Sequence, residues 1–552
     1  MSEAQASIGV DDRPGENSCV PIGPRSRAWE TVVAFALIAL VGLFFGLPSL
    51  PEPFGVDQGI YAYIAERLLD GAVDHRDVFD HKPPGIHAAY AAALALFGHR
   101  MWSVRLLDLL AAIATAWAFY ALGRRWAGLR MGLFCGLLYV AYYEAFFDWM
   151  SRAQPETWVN LTFVVGLALV AGTRRWFAML AAGVLLGAGF WFKPTIIVLA
   201  LLWLVVPAGR TAGNPDGGRK QFALNLLFVA AGALAVSALV LIHYAVNGAL
   251  RDLYEAVVVF NARYHSHLDL VRGWPQVWKA IRFILEPLYA VTVLLLAAVS
   301  VAVLRGRRRL ALLGFGWLLL AFATVFWQGS FAKGHYVLVL APMVFLASLA
   351  LDSAIQAVVG FKRNETGKRA ILTTAVVLAF CLLLLNAVGL FRDRWTKFSA
   401  LASGRVSPKQ YYMTFWLKGA PGRGGYSFED LRQMGAYLEE QTSPDETIYV
   451  WGFRPLIAYL ARRPMPTRFI FRYPLTRTND PRWWEEFLSD LDRSPPAYFI
   501  VVLHDRGRYH PDDSKKTLET NRDLSRFLDE RYEFDRTMTD FEIYRLRVRT
   551  RQ

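Results

Sequence analysis

Asp57, in Phe54-Gly55-Val56-Asp57-Gln58, and Lys82, in Lys82-Pro83-Pro84, stand 25 residues apart just beyond a first apolar stretch that closes at Glu52. A carboxylate can take the proton of an attacking hydroxyl, and an ammonium can neutralise a phosphate. At a membrane edge the two together are parts for activating a hydroxyl and holding a lipid phosphate. Each also has an ordinary reading. Asp57 precedes an apolar-faced segment and can cap a helix over 58–69. Lys82 can snorkel toward headgroups, although the prolines behind it restrict the direction of its arm.

Lys333 and His335, in Phe331-Ala332-Lys333-Gly334-His335-Tyr336, form another phosphate-facing patch or, alternatively, pack at a span boundary. Arg263, His265 and His267, beside Tyr254 and Tyr264, suit phosphate or sugar contact. Two histidines two positions apart with no well-placed carboxylate are a weak metal signal. Arg105, near the start of a span, is expected to pair with Asp108 or with an external acid.

The elements that must position these groups are membrane helices. The 552 residues are 55% hydrophobic and 19% charged, where a soluble chain is closer to a quarter charged. Uncharged runs such as Thr31 to Pro51, Gln221 to Leu250 and Ala370 to Phe391 are long enough to cross a hydrocarbon core. Eleven spans are expected, near 30–50, 103–123, 131–147, 157–173, 176–192, 194–208, 221–244, 286–304, 310–328, 335–351 and 370–391. Cys19, Cys135 and Cys381 are scattered and suggest neither a disulfide framework nor a zinc site. The net charge of +14 lies largely in short loops, so membrane orientation explains it without a nucleic-acid partner.

Those basic loops, including Arg124-Arg125-Arg130, Arg305 to Arg309 and Lys362 to Arg369, all fall on one side of the eleven spans. The bias puts the amino terminus in the cytoplasm. Residues 51–102, 148–156, 245–285, 329–334 and all after 392 then lie outside. Ile60, Tyr61, Ile64, Ala65 and Leu68 share one helical face, and Ile86 to Phe97 reads as another apolar helix; both are expected to lie along the interface. The domain expectation is a disordered cytosolic tail over 1–28, a membrane domain over 29–391, a connector over 392–419 and an extracytoplasmic α/β domain over 420–552. In the last, helix patterns at Phe428–Gln441, Trp483–Asp492 and Asn521–Arg531 alternate with strand patterns at Thr447–Trp451, Tyr498–Leu503 and Phe541–Leu546. It contains no glycine-rich phosphate loop.

The motif order resembles the polytopic GT-C glycosyltransferases of the aminoarabinose-transferase and protein-mannosyltransferase type. The resemblance covers about residues 30–390. It rests on Asp57-Gln58 with the following Tyr61-Ala62-Tyr63-Ile64-Ala65, His81-Lys82-Pro83-Pro84-Gly85, Leu96-Phe97-Gly98, Val104-Arg105-Leu106, Gln154-Pro155-Glu156, Phe192-Lys193-Pro194 and Phe331 to Tyr336. It implies a GT-C-like helical membrane fold and a sugar donor carried on a polyprenyl phosphate. It further implies inverting transfer to a lipid, glycan or protein of the envelope, outside a bacterial plasma membrane.

By the same resemblance Asp57 is the general base and Glu156 the second acid, with Asp148 as its local competitor; Lys82, Lys333 and His335 of its motifs, together with Arg263 and His265 from the loop reading above, are expected to contact donor phosphate or substrate. The family usually carries a second acid directly after the first, where this chain has Gln58. A divalent cation such as Mg2+ or Mn2+ bridging Asp57, Glu156 and phosphate is left open. The rival class is a transporter of an envelope precursor or lipid-linked substrate. Its expected signature, inverted repeats with paired broken helices, is not visible in the sequence.

Overall fold

The computed structural model describes residues 24–173, 175–208, 215–266, 274–304, 306–329, 331–419, 425–505 and 512–547. Each of the eleven expected stretches carries helix. In chain order the helices are α1 (Pro24–Gly46), α2 (Val56–Leu69), α3 (Gly85–Phe97), α4 (Met101–Ala127), α5 (Leu129–Phe146), α6 (Pro155–Gly172), α7 (Trp176–Phe192), α8 (Ile196–Ala208) and α9 (Pro215–Val246). There follow α10 (Leu250–Tyr254), α11 (Asn261–Ser266), α12 (Trp274–Leu285), α13 (Tyr289–Leu304), α14 (Arg308–Gln328), α15 (Val337–Gly360) and α16 (Thr366–Ala402). Among the described residues seven helices are long and apolar enough to cross a membrane. An eighth is added if the pair Val277–Leu285 and Tyr289–Ala298, bent by 102°, is one span. The expected span from 286 therefore begins in a turn, and α5, α7 and α8 do not meet the same measure. The chain is a multi-pass membrane protein.

Bundle packing follows from where side chains are small or absent. A Cβ on Gly183 or Gly232 would strike the backbone of the facing helix, so α7 and α9 meet almost backbone to backbone. The most buried element is α15, in which every residue from Val337 to Ser353 is buried. Charges are segregated to the two ends. At one end Arg130 and Arg307 converge on Asp352, at 3.1 and 2.6 Å, and Arg124 reaches Glu30 at 3.3 Å. The opposite end gathers the loops after α1, α5, α7 and α14.

Past the bundle, α16 continues to Ala402, beyond the expected end at 391, and Pro24 to Ala28 already belong to α1 although a disordered tail was expected through 28. The carboxy-terminal part holds α17 (Pro408–Tyr412), the antiparallel pair β1 (Trp416–Gly419) and β2 (Gly425–Ser427), α18 (Phe428–Gln441), β3 (Ile448–Trp451) and α19 (Leu456–Ala461). It continues with α20 (Tyr473–Thr478), α21 (Pro481–Arg493), β4 (Tyr498–Val502), α22 (Ser514–Thr520), α23 (Arg522–Arg531), β5 (Tyr532–Met538) and β6 (Phe541–Leu546). Its sheet has the order β3-β4-β6-β5, parallel only between β3 and β4. β5 escaped the sequence pattern because charged residues alternate irregularly along it and a bulge lies between Phe534 and Arg536.

One expectation about α2 is corrected. Every residue from Gln58 to Ala65 is buried, so the helix is covered on all sides and does not lie along an interface. It shares one apolar cluster with α3, β3, β4 and α18. Gly59 makes this contact with α19 possible, since a Cβ there would fall 2.6 Å from the Leu456 Cβ.

Candidate functional site

The amino end of α2 is locked by Gln58. Its side-chain oxygen accepts the Gly55 backbone N–H at 2.6 Å and the Arg105 guanidinium at 3.0 Å, while its amide donates to the carbonyls of Trp149, at 2.9 Å, and Arg152. Gln58, at the position where the resemblance implies a second acid, thus ties α2 to the 147–155 loop. Arg105 does not pair with Asp108; it donates to the carbonyls of Pro53 and Trp149 as well as to Gln58. Asp108 instead accepts from the Tyr143 hydroxyl and the Ala153 N–H, at 2.8 and 2.9 Å, and lies 3.4 Å from Arg152, which also pairs with Glu144. These contacts hold Ala153 at φ +53°, a left-handed conformation costly for a residue with a Cβ.

Asp57 is not the cap of α2. Gly55 occupies that position and Asp57 lies within the first turn, half-buried, with no hydrogen bond or ion pair among the described residues. Its charge acts on Tyr61, His81 and Lys193.

Lys82 leads into α3 through Pro83, Pro84 and Gly85. A Cβ at Gly85 would fall 2.6 Å from the Trp191 carbonyl, so the glycine allows this turn to rest on the close of α7 beside Lys193. The Lys82 ammonium donates to His81 Nε2 at 3.0 Å and lies 5.8 Å from the Tyr61 ring centroid, with no carboxylate in ion-pair range. His81 Nδ1 is 3.0 Å from Asp80, and Asp80 is 3.1 Å from His87 Nε2. Burial, followed by the Lys82 charge, lowers the His81 pKa below its ordinary value of 6.5. Burial raises Asp80, yet Lys82, His81 and His87 outweigh it and hold the carboxyl well below the ordinary range. For His87 burial is likewise outweighed, and Asp74 and Asp80 bring it up to about 9. It therefore donates from both ring nitrogens near neutral pH, the second to Asp74 at 2.7 Å.

Glu156, in the first turn of α6, is buried and forms an ion pair with Lys193; His335 Nε2 lies 3.8 Å away. Burial lowers the Lys193 pKa, with Glu156 opposing, and the Lys82 and Asp57 charges also act on it. Lys333 turns the other way. It pairs with Asp148 at 3.1 Å, lies 4.5 Å from the Phe146 ring centroid and borders a cavity of about 460 Å3 together with Arg282 and Arg394. The expected Lys333–His335 patch is therefore divided between two neighbourhoods, because successive residues of the tight turn over 333–336 point in different directions. Arg263 contacts Asp480 of the carboxy-terminal part at 3.4 Å. His267 and the side chain of His265 lie outside what is described.

Sequence reasoning overlooked two features. Lys193 was visible as part of Phe192-Lys193-Pro194, but nothing in the order of residues pairs it with Glu156. The other is a buried cluster in which the ligand atoms of Asp74, His75 and His87 lie within 4.8 Å of one another and could hold a divalent cation. Its two imidazoles and one carboxylate suit a borderline cation better than Mg2+, which prefers oxygen. The rings are also satisfied without a metal. His75 donates to the Lys82 carbonyl at 2.9 Å and accepts from the Tyr244 hydroxyl at 2.8 Å, and His87 bridges its two carboxylates. Of Asp57 and Glu156, the pair considered for a metal from sequence, Glu156 is taken up by Lys193 and Asp57 has no side-chain partner among the described residues.

Over 94% of its length the chain superposes on 98% of ArnT from Cupriavidus metallidurans bound to undecaprenyl phosphate, with a TM-score of 0.57 at 16% identity. The chain has a GT-C-like fold. The apo oligosaccharyltransferase of Archaeoglobus fulgidus is a more distant match, with a TM-score of 0.50 at 12% identity over 87% of this chain and 70% of that one. Residues 81–243 match the family described as dolichyl-phosphate-mannose-protein mannosyltransferase. Undecaprenyl phosphate-alpha-4-amino-4-deoxy-L-arabinose arabinosyl transferases of Pseudomonas aeruginosa (strain UCBPP-PA14) and Pseudomonas paraeruginosa (strain DSM 24068 / PA7) are 29% and 30% identical to this chain over 202 residues. Each alignment takes in 32% of this chain and 36% of the relative's length. In this GT-C-like chain the aligned family region begins at His81, directly before Lys82.

Proposed function

We propose that the chain is an inverting membrane glycosyltransferase, moving one sugar from a polyprenyl-phosphate carrier to a hydroxyl on an envelope lipid, glycan or protein. The observation that carries this reading is a charge imbalance at one end of the bundle. Glu156 and Asp148 are paired with Lys193 and Lys333, while Asp57 and Lys82 have no oppositely charged partner in ion-pair range. A free carboxylate and a free ammonium in one polar neighbourhood suit two jobs that must be done together. Asp57 takes the acceptor's hydroxyl proton as the oxygen attacks the anomeric carbon. The bond from that carbon to the phosphate oxygen breaks, and Lys82 stabilises the charge gathering on the leaving phosphate.

The remaining groups have supporting parts. Glu156 holds Lys193 close to that phosphate, with His335 beside it. A divalent cation held by Asp74, His75 and His87 would stabilise the turn leading to Lys82. The relatives' names favour an undecaprenyl carrier. The basic loops favour a bacterial inner-membrane placement with the amino terminus in the cytoplasm, eleven crossings, and the site and carboxy-terminal domain outside.

The test is transfer by purified protein in lipid nanodiscs from polyprenyl-phosphate sugars to extracted envelope acceptors. Asp57→Asn should lower turnover by about 100-fold or more while donor binding remains. Near-normal transfer by a well-folded Asp57→Asn protein would remove Asp57 from the reaction. Carrier-independent movement of a substrate into sealed vesicles, without any new glycosidic bond, would favour transport instead.

A further inference from the structure

A cavity of about 590 Å3, lined by neither Asp57 nor Lys82, opens where the close of α1, the start of α4 and the last turns of α16 meet α19. Three ends of membrane-crossing helices put it at the boundary between hydrocarbon and water. Its walls include Trp102 and Leu401, which suit acyl chains, and Trp102 is 38% exposed as expected of an interfacial aromatic. Its charged lining is of one sign. His99, Arg100 and Arg462 border it, and no aspartate or glutamate does.

Neither Arg100 nor Arg462 makes a side-chain hydrogen bond or ion pair among the described residues. His99 is already engaged, 2.9 Å from Glu66 and stacked on Tyr459 with ring centroids 4.3 Å apart. Two unpartnered guanidiniums above an apolar, aromatic cleft are complementary to a phosphodiester carrying two chains. With no carboxylate in the lining, a headgroup ammonium would find no counter-charge.

We propose that this cavity binds one anionic phospholipid, its phosphate between Arg100 and Arg462 and its chains along Trp102 and Leu401. Arg100 precedes α4 of the bundle and Arg462 follows α19 of the carboxy-terminal part, so the phosphate joins the two. Since α19 packs on Gly59 of α2, the same lipid steadies the helix that carries Asp57. The inference does not rest on sugar transfer.

The experiment uses the full chain, delipidated in mild detergent and given phosphatidylglycerol, phosphatidylethanolamine or inorganic phosphate, with thermal midpoint and native mass spectrometry as readouts. Phosphatidylglycerol should raise the midpoint and persist as a one-to-one adduct, and the other two should not. The double variant Arg100→Gln/Arg462→Gln, in which both exposed side chains keep hydrogen-bonding capacity, should bind that lipid about tenfold more weakly or worse. Each single variant should be intermediate. Equal retention by the double variant, or equal stabilisation by phosphatidylethanolamine, would overturn the proposal. A matching shift with inorganic phosphate would reduce the site to a small-anion site and overturn it as well.

Discussion

Lys193, partly buried, and Glu156, buried, form an ion pair that joins the close of α7 to the first turn of α6, while Asp57 has no cation in ion-pair range among the described residues. Removing one member of such a pair strands the other in a poorly hydrated place. Lys193→Met should therefore cost about 3–5 kcal/mol of stability, with His335 at 3.8 Å recovering part of it. The double variant Lys193→Met/Glu156→Gln should be more stable than Lys193→Met alone. Thermal unfolding of the three proteins in nanodiscs checks this, and additive losses would show that the two groups are not coupled.

Gln58 is a structural residue at the amino end of α2. Its amide donates to two backbone carbonyls, so Gln58→Glu places an oxygen against them at nearly unchanged size. The expected loss is about 1–3 kcal/mol, read as a lower thermal midpoint. A Gln58→Glu protein as stable as the parent would mean that the 147–155 loop is held by other contacts.

Lys82 separates donor binding from anchoring to headgroups. Lys82→Met keeps a long apolar arm and removes the charge. It should weaken donor binding and also slow single-turnover transfer at saturating donor. Lys82→Arg should fall between, because the charge remains but a planar fork replaces a compact ammonium. Normal binding together with a normal single-turnover rate for Lys82→Met would reassign the residue to the membrane surface.

The acid limb of stability should contain His81. Its folded pKa is lowered, so the unfolded chain takes up the proton first as pH falls. Stability associated with the neutral ring is complete above about 6.5 and is lost as pH drops below that ordinary value toward the lower folded one. A protonated ring could no longer accept from Lys82, so donor affinity should fall at the lower end of that range, as pH passes through the lowered folded value. Stability and donor affinity measured from pH 7.5 to 5 should therefore decline in the parent. They should decline less in His81→Gln, whose amide oxygen still accepts from Lys82. Identical profiles would exclude His81 as the titrating group.

By itself the sequence determined the membrane class, the helical stretches and much of the carboxy-terminal alternation, because each depends on local composition and period. Helix α18 has the bounds its apolar spacing predicts, Phe428–Gln441, and β3, β4 and β6 lie within the expected strand stretches. One-sided loop charge likewise groups Asp57, Lys82, Glu156 and Lys333 at one end of the bundle.

Tertiary structure alone decided which of those charges are already paired. Glu156 meets Lys193 across 37 residues, Gln58 meets Arg152 across 94, and Lys333 meets Asp148 across 185. A sequence period reports which face of an element is apolar, but the meeting of distant loops depends on how the helices pack. The burial of α2 beneath α19, the division of Lys333 from His335 and the Asp74–His87–Asp80 network all arise from that packing. Hence the chain order suggested the groups, and the packed bundle determined their partners.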